Sequence, residues 1–384
     1  MNTYFWVISM KTILHTPSHN IYFDTLIMYG ITLPALDHYC KVYEEELLEE
    51  EEIKKLIREM FKIEFTGREF TIHSNLDISE LAKAISSSIN PDAMIGELTE
   101  RVNILQRGVA KTATQILQKL TNPEEVANYL NDLTLRFHSI RRNEGRGGKR
   151  KSGQKRVWLA LSPNLGKFTI SLFKGKDIPY TSCIYCIGVG LLSLYYASVR
   201  TRKGGSSLLI FPSFDGMVTS EVLFSYYKSI TRKFTDLTDK IRRGLDNVPE
   251  RILNLYAYTK LSLDTIKLMK QQRATWFSFA VKLVKGATQL RGFNVVKLDS
   301  LIDALIRLSS VNRDMITLID TLIDYSNRGA DIASVLGLLF EFFDKREISI
   351  YYEMIRSLRG TLDRFGIESP LGVTLAKEIV RIVE

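Results

Sequence analysis

The chain contains few cysteines and few histidines, which limits the metal and redox chemistry open to it. Its 384 residues include only 3 cysteines (Cys40, Cys183 and Cys186) and 5 histidines. A small and odd number of cysteines does not build a disulfide framework, so we expect the reducing environment of the cytoplasm. The five histidines are scattered between positions 15 and 138 and do not indicate a cluster of metal ligands.

Sequence motifs of catalysis are also missing. The chain has neither a GxxxxGK[ST] phosphate-binding loop nor an HExxH metal motif. His15 and His19 are four residues apart, but Pro17 between them argues against a pair of helical zinc ligands. The sequence therefore predicts a non-catalytic protein. The alternative is a metal-dependent nuclease with carboxylates from separate segments, namely Asp24, Asp215 and Glu221.

One pair of cysteines has a spacing that is typical of metal sites. Cys183 and Cys186 form a CxxC pair, whereas a structural zinc ion needs four ligands and only Cys40 remains. The apolar residues around the pair favour packing in a buried helix. We predict no metal and no cofactor, with zinc as the open alternative.

Residues 178–199 carry no charge and are long enough to span a bilayer. They are rich in Ser, Thr, Tyr, Cys and Gly, whereas a membrane helix is more strongly apolar. We interpret the segment as a buried helix; a membrane-anchored protein is the alternative. The opening MNTYFWVISMKTIL predicts a strand and lacks the basic n-region and the small-residue cleavage site of a signal peptide; translation from either Met1 or Met10 fits the sequence.

Positive charge is abundant in the middle of the chain. The formal net charge is +9. Residues 1–156 contain 21 basic and 21 acidic side chains, residues 200–299 contain 18 and 8, and residues 300–384 contain 10 and 13. A concentrated positive field attracts polyanions, so this distribution favours a nucleic-acid partner.

The clearest basic segment is RRNEGRGGKRKSGQKR at 141–156, with eight basic residues, one acid and four glycines. Such a segment cannot bury apolar surface and predicts a loop that follows a phosphate backbone. A second basic segment surrounds Gly204-Gly205, and two further cations share a helix face near Trp276. The candidate nucleic-acid ligands are Arg146, Lys149, Arg150, Lys151, Lys155, Arg156, Arg200, Arg202, Lys203, Lys270 and Arg273.

The periodicity predicts an α+β region with a mixed or antiparallel sheet, followed by an all-α bundle. We divide the chain into 1–216, the α+β domain, and 217–384, the helical bundle. Alternation around Gly67-Arg68 indicates a hairpin, and Asn20 has the chemistry of a helix N-cap. Residues 31–42 favour another strand. From position 219 onward the pattern predicts helices, including one over 249–286.

Several of these features occur together in one known family. They are the start MKTILHTPSHNIYFDTLIMYGI, the basic insertion, the helix GVGLLSLYYAS followed by a basic turn and LLIFP, and the helical last third. In this order they resemble the large subunit of archaeal type I-A CRISPR effector (Cascade) complexes. The TPSHN turn before the first helix is the most distinctive part of the resemblance.

The resemblance implies a role in antiviral defence as part of an RNA-guided complex. It implies recognition of the protospacer-adjacent motif in duplex DNA, help in opening the target, and recruitment of the helicase–nuclease that cleaves it. The implied partners are target double-stranded DNA, guide RNA held through the complex, the backbone and small subunits, and the helicase–nuclease. In such complexes guide pairing reads the sequence, while protein contacts the motif and the backbone. His19 and Asn20 are the candidates for a polar site that reads the motif.

Overall fold

The structure is a computed structural model that describes residues 10–136, 154–163, 180–311, 314–326 and 330–365. An antiparallel sheet with packed helices is followed by a helical C-terminal region. The predicted fold class, α+β followed by helices, is confirmed.

The main sheet has seven strands and is built around one long central strand. Its order is β1-β3-β2-β7-β8-β9, and β6 pairs with the first part of β7 on the same side as β2. All the pairings are antiparallel. The seven strands are β1 (Thr12–His15), β2 (Phe61–Phe65), β3 (Phe70–Ser74), β6 (Val199–Lys203), β7 (Ser206–Thr219), β8 (Arg273–Val284) and β9 (Gln289–Lys297). A separate pair is formed by β4 (Gln154–Arg156) and β5 (Thr181–Cys183).

Fourteen helices are present in the described residues. The first seven are α1 (Ile21–Glu45), α2 (Glu50–Arg58), α3 (Ile78–Ser87), α4 (Pro91–Gly96), α5 (Ala110–Leu120), α6 (Pro123–Thr134) and α7 (Ile184–Tyr196). The others are α8 (Ser220–Gly244), α9 (Glu250–Thr259), α10 (Leu263–Gln271), α11 (Asp299–Val311), α12 (Asp314–Tyr325), α13 (Ala330–Lys345) and α14 (Ile348–Phe365). A π-helical turn extends α4 through Arg101.

Helix α1 lies in the middle of the core, and most of its residues are buried on every face. It passes very close to α7. A Cβ atom on Gly30 would lie 2.0 Å from the carbonyl oxygen of Val189, so only glycine permits this approach. The uncharged segment that contains α7 is therefore buried within the protein, as its composition predicts.

Local signals in the sequence are confirmed where turn and cap chemistry is explicit. Strands β2 and β3 form the predicted hairpin, with Gly67 in the left-handed region at φ +82°. Pro91 and Pro123 begin α4 and α6, where a missing backbone N–H costs nothing. Trp276, expected in the core, is only 2% exposed.

Two predictions are wrong. Residues 249–286 do not form one helix, because β8 occupies Arg273–Val284. Aromatic and β-branched residues dominate that segment, and pairing with β7 along twelve residues stabilises the extended form. Residues 31–42 are not a strand, because α1 continues through them despite Pro34.

The sheet continues across the division that the sequence suggested at residue 216. Strand β7 runs from Ser206 to Thr219, and β8 and β9, from the later part of the chain, extend the sheet beyond it. The helices after Asp299 then pack on α8, α9 and α10. The two-domain division stays a prediction.

Candidate nucleic-acid interface

The opening turn, residues 16–20, joins β1 to α1 and is fixed by helix capping. The Asn20 Oδ1 atom accepts a hydrogen bond from the Phe23 backbone nitrogen at 2.9 Å. The Asn20 backbone nitrogen donates to Asp24 Oδ2 at 3.1 Å. The structure therefore confirms Asn20 as an N-cap, and its side-chain oxygen serves the helix.

His19 is half-buried and belongs to a chain of hydrogen bonds. Its ring stacks on Phe23, with 4.7 Å between the centroids. The Nε2 atom lies 3.2 Å from the Ser182 hydroxyl, and Nδ1 is hydrogen-bonded to the Tyr180 hydroxyl. His19 is thereby connected to β5, a strand that the linear sequence places more than 160 residues away.

Asp24 is completely buried in the first turn of α1. Its Oδ1 atom has no hydrogen-bond partner among the described residues. Burial raises the pKa of the Asp24 carboxyl well above its ordinary value, and the backbone hydrogen bond from Asn20 opposes this effect only in part. Burial therefore favours the neutral form of the Asp24 carboxyl beside the opening turn.

Arg136, five residues before the basic segment 141–156, makes contacts beside the opening turn. Its Nη2 atom lies 3.1 Å from Glu69 Oε1 and 3.2 Å from His15 Nδ1. Burial, followed by the charge of Arg136, lowers the pKa of His15. A neutral His15 ring can accept the hydrogen bond that Arg136 donates. The Arg136 side chain remains 63% exposed.

Lys155 and Arg156 are the last two residues of the basic segment. Both are exposed on β4, where Lys155 pairs with Ser182, the residue that contacts His19. The described residues on either side of positions 137–153 thus both lie at the opening turn. We call this group, residues 15–20 with Arg136, Lys155 and Arg156, the opening-turn site. Arg146, Lys149, Arg150 and Lys151 lie outside the described residues.

Arg200 differs from the expectation that it contacts phosphate. It is 6% exposed, and its Nε atom lies 3.4 Å from Glu97 Oε1. Its Nη1 atom donates to the Tyr195 carbonyl at 2.7 Å, and its guanidinium carbon lies 4.9 Å from the Phe234 ring centroid. These contacts engage the cation inside the protein, so we leave it out of the interface.

Arg202 and Lys203 lie at the turn between β6 and β7. Arg202 donates to the Glu100 carbonyl at 3.4 Å, and Lys203 donates to the Arg243 carbonyl at 3.3 Å. Val284 pairs with Ser206, which brings the exposed Lys285 to the same end of the sheet. We call Arg101, Arg202, Lys203, Arg243 and Lys285 the distal basic cluster.

Three cations of the distal basic cluster are paired with acids. Arg101 lies 3.2 Å from Glu97, Lys203 lies 3.0 Å from Asp246, and Arg243 lies 2.6 Å from Asp324. These pairs reduce the positive field at that end. The sequence interpretation missed Arg101 and Lys285. A signal for Lys285 was present in the sequence. The turn at Lys285-Gly286 follows a segment rich in aromatic and β-branched residues, which is typical of a β-hairpin.

Lys270 and Arg273 lie away from the distal basic cluster, and the strand register places Arg273 in the same row of the sheet as His15, four strands and about 19 Å away. Arg273 begins β8, whereas the distal basic cluster lies at its other end, eleven residues and about 36 Å away. Lys270 pairs with Asp303 at 2.8 Å. The opening-turn site and the distal basic cluster flank opposite ends of α7, whose 13 residues extend about 20 Å.

The cysteine pair serves the start of α7. Cys183 is the N-cap residue, and its sulfur accepts from the Cys186 backbone nitrogen at 3.2 Å. Cys186 is buried, and burial raises the pKa of its thiol well above the ordinary value. In the part of the chain that the structure describes, no three His, Cys, Asp or Glu residues are arranged to hold a metal ion.

The carboxylates of the nuclease hypothesis have separate roles. Asp24 is buried in α1, Glu221 pairs with Arg58 at 3.1 Å, and Asp215 lies in β7 opposite Thr275. They do not form a common site. None of the described helices is both long enough and apolar enough to cross a membrane.

These features define a basic α+β protein with a capped polar turn at the base of an Arg/Lys-rich loop. Over residues 52–384 the chain matches the family model described as CRISPR-associated protein (Cas_Csa4). The chain therefore belongs to this family of CRISPR-associated proteins. The opening turn precedes the matched range. No curated protein shows significant similarity to the chain.

Proposed function

We propose that this chain is the non-catalytic large subunit of a type I-A RNA-guided interference complex. In this role it binds target DNA next to the protospacer-adjacent motif, helps to open the duplex, and helps to recruit the helicase–nuclease. Membership of the CRISPR-associated family supports a role in such a complex.

The observation that carries the DNA-binding part is the convergence at the opening-turn site. Arg136, which precedes the segment of eight cations, and Lys155, near the end of that segment, both lie at this turn beside His19. Lys155 and Arg156 are exposed and have no acidic partner among the described residues. Cations with free donors are available to phosphate oxygens, which supply most of the affinity of DNA-binding proteins.

His19 would contact a base edge or sugar of the DNA with one of its ring nitrogens, but both nitrogens already have hydrogen-bond partners in the protein. Tyr180 and Ser182 hold its ring nitrogens, so a contact to DNA requires one of these hydroxyls to release the ring. Asn20 contributes by fixing the turn through its cap.

A pull-down of the tagged chain from its native host tests membership of the complex. We expect discrete CRISPR RNAs together with the repeating backbone subunits and the small subunits. A chain recovered alone, free of RNA, or in the membrane fraction contradicts the proposal.

A further inference from the structure

A surface groove lies between α9, β9, α11 and α13, away from the opening-turn site. It encloses about 620 Å³. Its lining combines charged and polar residues with the apolar side chains of Ile252, Leu255, Val296, Leu301, Phe340 and Phe343. Val295 also lines the groove and is 53% exposed, although it is a large apolar side chain on a strand. A groove of mixed lining with an exposed valine fits a ligand segment that carries both apolar and charged side chains.

A glycine in one wall keeps the groove open. Gly337 lies within α13, where glycine lowers helix stability relative to other residues. A Cβ atom at this position would meet only Ile252 Cδ1, at an ordinary contact distance of 3.7 Å. Neither a close approach nor a left-handed backbone requires glycine there. The absence of a side chain at Gly337 leaves space in the groove that a larger residue would fill.

The edge of β9 forms part of the groove. Three consecutive residues, Val295, Val296 and Lys297, line it. Because successive side chains of a strand point to opposite faces, a groove that contacts all three runs along the strand edge. Within the described residues, β9 has a neighbouring strand only on the side of β8. Backbone groups on its other edge are therefore available to an added strand.

The rim of the groove is positive on the β9 side. Arg251 and Lys297 line it and are exposed, and neither has an acidic partner among the described residues. On the opposite rim, Glu341 is neutralised by Lys345 at 2.6 Å, which leaves Asp344. The charges therefore complement a segment with acidic residues next to β9.

We propose that this groove binds an extended, acidic–apolar segment of a partner protein, which pairs with the free edge of β9. Alternate apolar side chains enter the groove, and acidic side chains between them meet Arg251 and Lys297. This mode of binding takes affinity from main-chain hydrogen bonds and specificity from alternate side chains. The proposal does not depend on DNA binding, because the groove shares no residue with the opening-turn site.

The test uses the full chain and two fluorescein-labelled eight-residue peptides. In the acidic peptide, valine or leucine alternates with aspartate or glutamate; in the basic peptide, lysine replaces every acid. We expect saturable binding of the acidic peptide by fluorescence anisotropy and slower amide exchange at 295–297 in the complex. Gly337→Leu, which fills the groove, is expected to lower the affinity by about tenfold or more.

Gly360→Leu is the matched control, because Gly360 is an exposed glycine of α14 with no atom near its virtual Cβ. It should leave the affinity unchanged. The double variant Arg251→Glu/Lys297→Glu should reverse the preference between the two peptides.

Three binding results would overturn the proposal: no binding of the acidic peptide by the full chain, equal binding of both peptides, or equal effects of Gly337→Leu and Gly360→Leu on the affinity. A change in oligomeric state with Gly337→Leu alone would also overturn it, since that result assigns the groove to a second copy of the chain.

Discussion

Arg200 and Glu97 form an ion pair inside the protein, with 3.4 Å between Nε and Oε1. Both side chains are nearly inaccessible to solvent, at 7% and 12% exposed. Removing Arg200 deprives Glu97 Oε1 and the Tyr195 carbonyl of their buried cation, and leaves Glu97 with only the exposed Arg101 at Oε2. We expect Arg200→Ala to lower the free energy of unfolding by about 3–5 kcal/mol, measured by chemical denaturation.

Arg101 provides the control for this pair, because it contacts the same Glu97 from an exposed position. Arg101→Ala should change the free energy of unfolding by about 1 kcal/mol or less. If Arg200→Ala is as mild as Arg101→Ala, water reaches the site and Arg200 is available to ligands after all.

Replacing Asn20 separates capping from DNA recognition. Asn20→Ala removes the acceptor for the Phe23 nitrogen and should lower the free energy of unfolding by about 1 kcal/mol. Asn20→Ser keeps a capping oxygen and should be close to the original chain in stability. If Asn20→Ser still weakens binding of DNA that contains the adjacent motif, Asn20 contacts the DNA as well as capping α1.

Asp24 should make stability depend on pH. The unfolded chain releases this proton near pH 3.8, whereas burial keeps the folded carboxyl protonated to a higher pH. The folded state therefore binds more protons between these two pKa values. The stability contributed by the neutral Asp24 is complete below about pH 3.8 and is lost as the pH rises towards the folded pKa.

Comparison with Asp24→Asn isolates this effect from other titrating groups. Between the unfolded and the folded pKa of Asp24, the free energy of unfolding of the original chain minus that of the variant should fall with rising pH, by up to about 1.4 kcal/mol per pH unit. Urea denaturation at pH 4.5, 5.5 and 6.5 measures it. A difference that is constant over this range would mean that Asp24 is charged in the folded protein.

Lys155 and Arg156 should contribute to DNA affinity through phosphate contacts. In the assembled complex, Lys155→Ala/Arg156→Ala should weaken DNA binding and reduce the slope of log affinity against log salt by about two units. Charge reversal across 149–156 should reduce it by several units. Both changes should leave the unfolding transition in place, since Lys155 and Arg156 are exposed and the sequence of 149–153 predicts no buried side chain.

Lys54→Ala/Lys55→Ala is the matched control, because both lysines are exposed on α2, far from the basic loop in sequence. The control should leave the slope unchanged. An equal change in the two double variants would show a general effect of net charge, and an unchanged slope in both would remove the opening-turn site from the DNA interface.

Local chemistry was sufficient to predict several elements. The cap at Asn20, the prolines that begin α4 and α6, and the Gly67 hairpin each depend on residues within a few positions of one another. Burial of the α7 segment followed from its composition. In these cases the interactions that decide the structure are contained in the segment itself.

Other features depend on residues that are distant in sequence. The sequence around Arg200 predicts an exposed, charged turn. In the structure Arg200 is buried, because it contacts Glu97 and Phe234, which lie more than thirty residues away in the sequence. The contact of His19 with Ser182 likewise joins segments that no local pattern connects. Strand β8 was missed because pairing with β7 decides its conformation.

The position of β7 has a consequence for synthesis on the ribosome. Its last residue is Thr219, but its neighbour β8 ends only at Val284, 65 residues later. At about 5–20 residues per second, roughly 3–13 s pass between these points. During that interval one edge of β7, with Leu208, Ile210 and Phe211, has no β8 to pair with. Slow codons between β7 and β8 would lengthen the exposure of this apolar edge to wrong strand pairing.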